Sequence, residues 1–355
     1  HQYPKLMLDH QHIDPTAIDR LLALMDRWSI AGAVNLSGMS PGPPRAALET
    51  QLEAARKAGG RIAVFMTPNF VRAARTRPKD YGVAMAEELT RGKELGARGL
   101  KISKGLGLGY PNAEMTNFLT VDDAGLDPLF EKAGELAMPV AIHTGDPKAF
   151  WQPADETNER WDELKAHPEW SFHGQSPAGV PWPSWQSLYD AFERRVARHP
   201  KTRFIGVHFG NAPEEPDRVG RMLDKYPNLF IDTAARVPEI GRHDATAMRA
   251  FYEKYQDRVL FGTDTGVGSS PEEMMYGSTG DSAPTDADEV RFFASTYRYF
   301  ETRDRQFESP TPIQGRWKID GVGLSPAILR KIYCDNAERL LGWKPPPLAE
   351  PKKPA

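Results

Sequence analysis

A single cysteine, Cys334, in 355 residues rules out an intramolecular disulfide, so a bound metal ion would be held by His and carboxylate side chains rather than by thiolates. A basic excess is also missing. Lys and Arg number 45 against 48 Asp and Glu, a formal net charge of -3 that offers nothing to a phosphate backbone and excludes nucleic acid as a partner. Long hydrophobic runs are absent too: none approaches the roughly 18 residues needed to cross a bilayer, and the expectation is a soluble chain with no membrane partner. An initiating Met is lacking, and His1 in its place leads us to expect that an N-terminal piece has been removed, by a signal peptidase or by trimming, which leaves cytoplasmic and exported locations both open.

What is present is a rhythm. Short β-branched or apolar runs end in polar residues and are each followed by a segment of helical length, at 5–12, 31–37, 61–66, 98–103, 139–143, 203–208, 229–232 and 259–264. The intervening segments carry apolar residues three and four apart, as in Ile18, Leu21, Leu22 and Met25 or in Val219, Met222 and Leu223, and breakers such as Ala58-Gly59-Gly60 and Tyr226-Pro227-Asn228 precede strands. Eight such units predict an α/β fold of the (β/α)8 TIM-barrel type, with an open doubly wound sheet as the rival topology. The barrel is expected to occupy 1–343 as one domain. A long insertion at 146–183 follows the fifth strand, a polar stretch at 266–287 follows the eighth, and a Pro/Lys-rich tail at 344–355 lies outside the core.

Active sites of such barrels sit at the C-terminal ends of the strands. There the sequence offers His10 and His12 on strand one, Lys101 late in strand four, His143 on strand five, His208 on strand six and Asp264 on strand eight. Residues two apart on a strand share a face, so His10 and His12 can offer imidazole nitrogens to one ion. His143 and Asp264 would complete a set of three nitrogens and a carboxylate, suited to one divalent cation, Zn²⁺ first and Mn²⁺ or Fe²⁺ as alternatives. A lone strand-end histidine is more often a hydrogen-bonded structural residue, and it is the convergence of several strands that argues for a metal site. By contrast Gly105, Gly107 and Gly109 lack the spacing of a dinucleotide loop, Lys104 reads as a solvated surface residue, His167 and His199 precede prolines and read as turn residues, and His243 reads as a surface residue.

The segments Leu-Asp-His-Gln-His at 8–12, Gly-Leu-Lys-Ile at 99–102, Ala-Ile-His-Thr-Gly at 141–145, Gly-Val-His-Phe-Gly at 206–210 and Leu-Phe-Gly-Thr-Asp at 260–264 carry a resemblance. In order and spacing the sequence resembles the amidohydrolase superfamily, in its aminocarboxymuconate-semialdehyde decarboxylase-like branch, over the whole barrel. The resemblance implies that His10, His12 and His143 are metal ligands and that Asp264 is both a ligand and a proton-transfer group. It further implies that His208 positions water or polarises the substrate. Leu8 stands where many relatives carry an Asp, with Asp9 adjacent. Lys101 stands where some relatives use a carbamylated lysine to bridge two metals; the alternative is a cation that pairs with a substrate carboxylate.

Three functions follow as expectations. The first is hydrolysis of a small cyclic ester, amide or carboxylated organic substrate by a metal-activated water, with Asp264, His208 and Lys101 as catalytic groups. The second is non-oxidative decarboxylation, or hydration, of an aromatic-derived carboxylic acid, and the third is a non-catalytic barrel that binds a small molecule. Substrate contacts are expected from Arg236 beyond strand seven and, within the insertion, from Arg160, Trp151, Trp161 and His173, with Trp170, Trp182 and Trp185 thickening an aromatic wall. Packing of the insertion against the barrel and contacts in a homodimer are the other uses for those aromatics.

Overall fold

The computed structural model describes residues 5–9, 13–36, 47–70, 79–112 and 115–348. Eight parallel strands lie in sequential order: β1 (Lys5–Asp9), β2 (Ile30–Asn35), β3 (Ile62–Met66), β4 (Gly99–Ile102), β5 (Val140–Ile142), β6 (Phe204–Gly206), β7 (Leu229–Asp232) and β8 (Val259–Leu260). Every predicted strand is there, but most are shorter than the sequence suggests. His143, His208 and Asp264 therefore lie one, two and four residues beyond their strands, in the turns that follow. The rival doubly wound order is excluded, because each strand pairs with its sequence neighbours.

Alternation along the strands sorts the buried residues into two cores. One face, with Ile62, Val64, Leu100, Ile102, Val140, Ile142, Phe204 and Ile231, packs under the surrounding helices. The other, with Val34, Phe65, Ala141, Ile205 and Leu260, fills the barrel interior, which Cys334, Leu340, Leu341 and Trp343 join from the C-terminal segment. Gly99 belongs to the interior row for a steric reason: a Cβ there would lie 2.3 Å from the Phe65 ring that fills the space. Lys101, two residues on, and Asp232, two residues beyond Phe230, continue the interior rows toward the mouth, and both are buried.

The two ends of the sheet meet just above the strands. Ile13, following β1, forms a parallel bridge with Val267, following β8, and the Asp14 amide donates to the Val267 carbonyl at 2.9 Å. Gln51 donates to the Ile13 carbonyl and accepts from Asn35 at the end of β2. The residue after His12 is thus tied on both sides. The insertion is organised around Leu108, Phe150, Leu164, Phe172 and Leu188, with Trp151, Trp170 and Trp182 against them. The stretch after β8 forms a short antiparallel ladder between Thr265–Gly266 and Met275–Tyr276. Among the described residues no helix is long and apolar enough to cross a membrane.

Candidate active site

The turns that follow β5, β6, β7 and β8 build the mouth, and three of them depend on left-handed backbone. After β6 the chain runs through His208, Phe209, Gly210 and Asn211 with φ of 55°, 59°, 68° and 62°, while Ala235 and Asp264 have φ of 55° and 62°. Such a conformation costs an L-residue roughly 1–2 kcal/mol, so a run of it survives only where surrounding bonds hold it. Here they do: the Asp232 carboxylate accepts from the amides of His208 and Ala234, and Asn211 accepts from the Thr144 amide and donates to the Ile142 carbonyl. Asp232 and Asn211 are functional supports that the sequence reading did not single out.

His143 and His208 are brought together, with ring centroids 4.4 Å apart and planes nearly perpendicular. His208 Nδ1 lies 2.9 Å from the Ala234 carbonyl, an acceptor only, so that nitrogen carries a proton and Nε2 is the nitrogen turned to other partners. For His143 the polarity is reversed. Its Nε2 lies 3.2 Å from the Gly145 carbonyl and 3.3 Å from Asp146 Oδ1, so Nε2 bears the proton and Nδ1, buried and without a hydrogen-bond partner among the described residues, bears the lone pair. Burial, with Lys101 and Lys104 nearby, lowers its pKa to about 3 despite the opposing pull of Asp146. The imidazole is therefore neutral, the form that binds a cation.

Lys101 is completely enclosed, and burial lowers its ammonium to about 8 against the attraction of Asp232 and Asp264. Two carboxylates on one lysine favour its cationic form and oppose a carbamate, whose negative charge they would repel. Asp146 is buried as well. Burial alone would raise its pKa, but Lys104, 2.6 Å from Oδ2, and His143 together hold it well below the usual carboxylate range. Lys104 is thus an internal partner of the site rather than a solvated surface residue; its ammonium also lies over the rings of Trp170 and Phe172 in the insertion. His10 and His12 lie outside the described residues, and among the described residues no group of three or more His, Cys, Asp or Glu forms a ready metal cluster.

The substrate-contact candidates divide. Arg236, 7% exposed, rises from the loop after β7, next to the Ala234 carbonyl that holds His208, and its guanidinium donates only to the Ala235 carbonyl; no carboxylate pairs with it among the described residues. Arg160 is fully enclosed and pairs with Glu163 and Glu239, so its charge is already matched within the fold. Trp151 donates to the Pro183 carbonyl and packs against Phe172, holding the insertion together. Trp161 lines a cavity of about 760 Å³ with Glu156, Asp162, Lys165, Arg316 and Trp317, which none of the mouth residues His143, His208 or Asp264 lines. His173 is exposed.

The family model described as amidohydrolase matches residues 7–343. The chain belongs to the amidohydrolase family. No curated protein matches this amidohydrolase. Among solved structures it is similar to 2,6-dihydroxybenzoate decarboxylase complexed with 2,6-dihydroxybenzoate, at 18% identity and TM-score 0.53, covering 96% of this chain and 100% of that one. A 2,6-dihydroxybenzoate decarboxylase from Rhizobium is similar at 19% identity and TM-score 0.51, covering 96% and 99%. An uncharacterised TIM-barrel protein from Bordetella bronchiseptica is similar at 14% identity and TM-score 0.53, covering 95% and 98%. At these identities the likeness establishes the (β/α)8 barrel and no more.

Proposed function

We propose that this amidohydrolase is a metal-dependent enzyme that acts on a small carboxylated organic substrate at the mouth of the barrel, by non-oxidative decarboxylation. The carrying observation is Arg236, a buried guanidinium without a carboxylate partner among the described residues. An unmatched buried charge is costly, and a guanidinium fork fits a carboxylate better than any uncharged ester or amide. The similar decarboxylases support the choice of reaction.

His143 and Asp264, with His10 and His12, would hold one divalent cation, Zn²⁺ first and Mn²⁺ or Fe²⁺ as alternatives; the buried lone pair on His143 Nδ1 fits that role. When bound, such a cation supplies Lewis-acid polarisation of substrate oxygens and a water of lowered pKa. The chain's own groups do the rest. Arg236 binds the carboxylate, and Lys101 adds positive charge deep in the mouth. As the bond to the carboxylate carbon breaks, its electron pair stays on the ring carbon and CO₂ departs; Asp264 or His208 Nε2, having first taken a proton from water, delivers it to that carbon. His208 Nδ1–H is held by the Ala234 carbonyl, so exchange with substrate falls to Nε2.

Hydrolysis of a carboxylated cyclic ester is the second reading, favoured by the family description, and it uses the same groups with Asp264 relaying the proton to the leaving oxygen. The test is a panel of hydroxylated aromatic acids and carboxylated lactones, supplied to protein loaded with Zn²⁺ or Mn²⁺. Release of CO₂ supports decarboxylation, acid release without CO₂ supports hydrolysis, and turnover of uncharged esters alone removes the carboxylate reading. Asp264→Asn is expected to abolish turnover in either case.

A further inference from the structure

The groups around His143 form a chain that crosses three segments of the molecule. His143 Nε2 lies 3.2 Å from the Gly145 carbonyl and 3.3 Å from Asp146 Oδ1, and the other oxygen of Asp146 receives Lys104 Nζ at 2.6 Å. Lys104 Nζ in turn lies 5.4 Å from the centroid of the Trp170 ring and 6.0 Å from that of Phe172. His143 and Asp146 belong to the turn after β5, Lys104 to the turn after β4, and the two rings to the insertion. A carboxylate so enclosed, with each oxygen engaged by a different partner, has one orientation available to it. A neutral imidazole that donates from one nitrogen must present its lone pair at the other.

We infer that Asp146, clamped by Lys104, is the positioning residue that, beside the Gly145 carbonyl, fixes the ring plane of His143 so that Nδ1 faces a divalent cation. The inference rests on the reading of His143 as a metal ligand. Two features favour positioning over a purely structural ion pair. His143 Nδ1 is a buried polar atom with no hydrogen-bond partner among the described residues, which a structural histidine would have satisfied. The carboxylate also contacts the imidazole on the opposite edge from that atom, where a negative charge raises the basicity of the lone pair. Asp146 has its two oxygens on His143 and Lys104. It acts through His143, and its loss is felt as weaker metal binding before it is felt as lost chemistry.

The test is Zn²⁺ affinity of the full chain, read by competition with a chromogenic chelator, for the parent and for Asp146→Ala, Asp146→Asn, Lys104→Met and His143→Ala. Asp146→Ala is expected to weaken Zn²⁺ binding by about ten- to hundredfold, the range found when such outer carboxylates are removed. Asp146→Asn, which keeps an acceptor for the Nε2 proton but no charge, is expected to fall between Ala and the parent. Lys104→Met, which leaves the carboxylate but frees it, should give a smaller loss that Lys104→Arg restores, and this pair stands in if Asp146→Ala does not fold. The absorption spectrum of the Co²⁺-loaded Asp146→Ala protein should shift, since the ligand ring is no longer fixed. If His143→Ala loses the metal while Asp146→Ala and Lys104→Met bind it as the parent does, the positioning role is overturned. If His143→Ala binds as the parent does, the ligand reading itself fails and the positioning role falls with it.

Discussion

Two arginines that look alike in the sequence do opposite things. Arg160 is enclosed between Glu163 and Glu239, with Trp317 against its guanidinium, and nearby Glu214 has its pKa raised by burial and by Glu239. Its removal would leave buried carboxylates unmatched, and breaking a buried pair from one side costs about 3–5 kcal/mol. Arg160→Met is therefore expected to lower the denaturant midpoint sharply while leaving the KM of the remaining folded enzyme unchanged. Arg236 has no such partner to abandon among the described residues. Arg236→Met should leave the denaturant midpoint and the metal content near those of the parent. A charge-assisted hydrogen bond is worth about 1.5–3 kcal/mol, so KM for a carboxylated substrate should rise roughly ten- to hundredfold. Equal KM values for Arg236→Met and the parent would remove Arg236 from the substrate site.

At the scale of elements, the left-handed turn at 208–211 carries the mouth, and Asn211 is its fastening. Asn211 both tolerates positive φ and bonds the backbone of Ile142 and Thr144, so it joins the end of β5 to the turn after β6. Asn211→Gly removes the bonds and keeps the backbone freedom, whereas Asn211→Ala removes both. We expect the Ala variant to be the less stable of the two by about 1 kcal/mol, with both below the parent, as measured by urea unfolding. This turn also shows where the sequence stops being legible. The alternation of strands β1 to β8 was readable because burial on both faces leaves runs of apolar residues, and His143, His208 and Asp264 were readable because polar residues ending such runs stand out. His208 and Phe209 in left-handed backbone were not, since neither residue type signals it; bonds from Asp232 and Asn211, made across the mouth, help hold it there. Lys104 and Asp146 were missed for a related reason. They are 42 positions apart, and nothing local to either announces the other.

Across the whole molecule, side chains bring the first strand and the last together at the start of β1. There the Lys5 ammonium, at the start of β1, lies 4.4 Å and 5.0 Å from the centroids of the Tyr297 and Tyr333 rings. Phe261, just past β8, packs against the same two rings and donates its amide to the Ile332 carbonyl. The first strand and the last are thus joined by a buried cation between aromatic rings. Burial lowers the Lys5 pKa from 10.5 to about 8, against the opposing attraction of Glu301. Between those two values the unfolded chain binds more protons than the folded one, so this group's contribution to stability grows as pH rises through the window and is lost as pH falls through about 8. Lys5→Met has no such dependence. Relative to the parent, the Met variant should therefore lose stability on going from near pH 8 to near pH 10.5, by at most about 3 kcal/mol. Other lysines and tyrosines that titrate in the same range cancel in the difference between the two proteins. Urea midpoints for both proteins at several pH values across that window measure it, and a difference that stays constant would show that closing the barrel on Lys5 does not disfavour its charge.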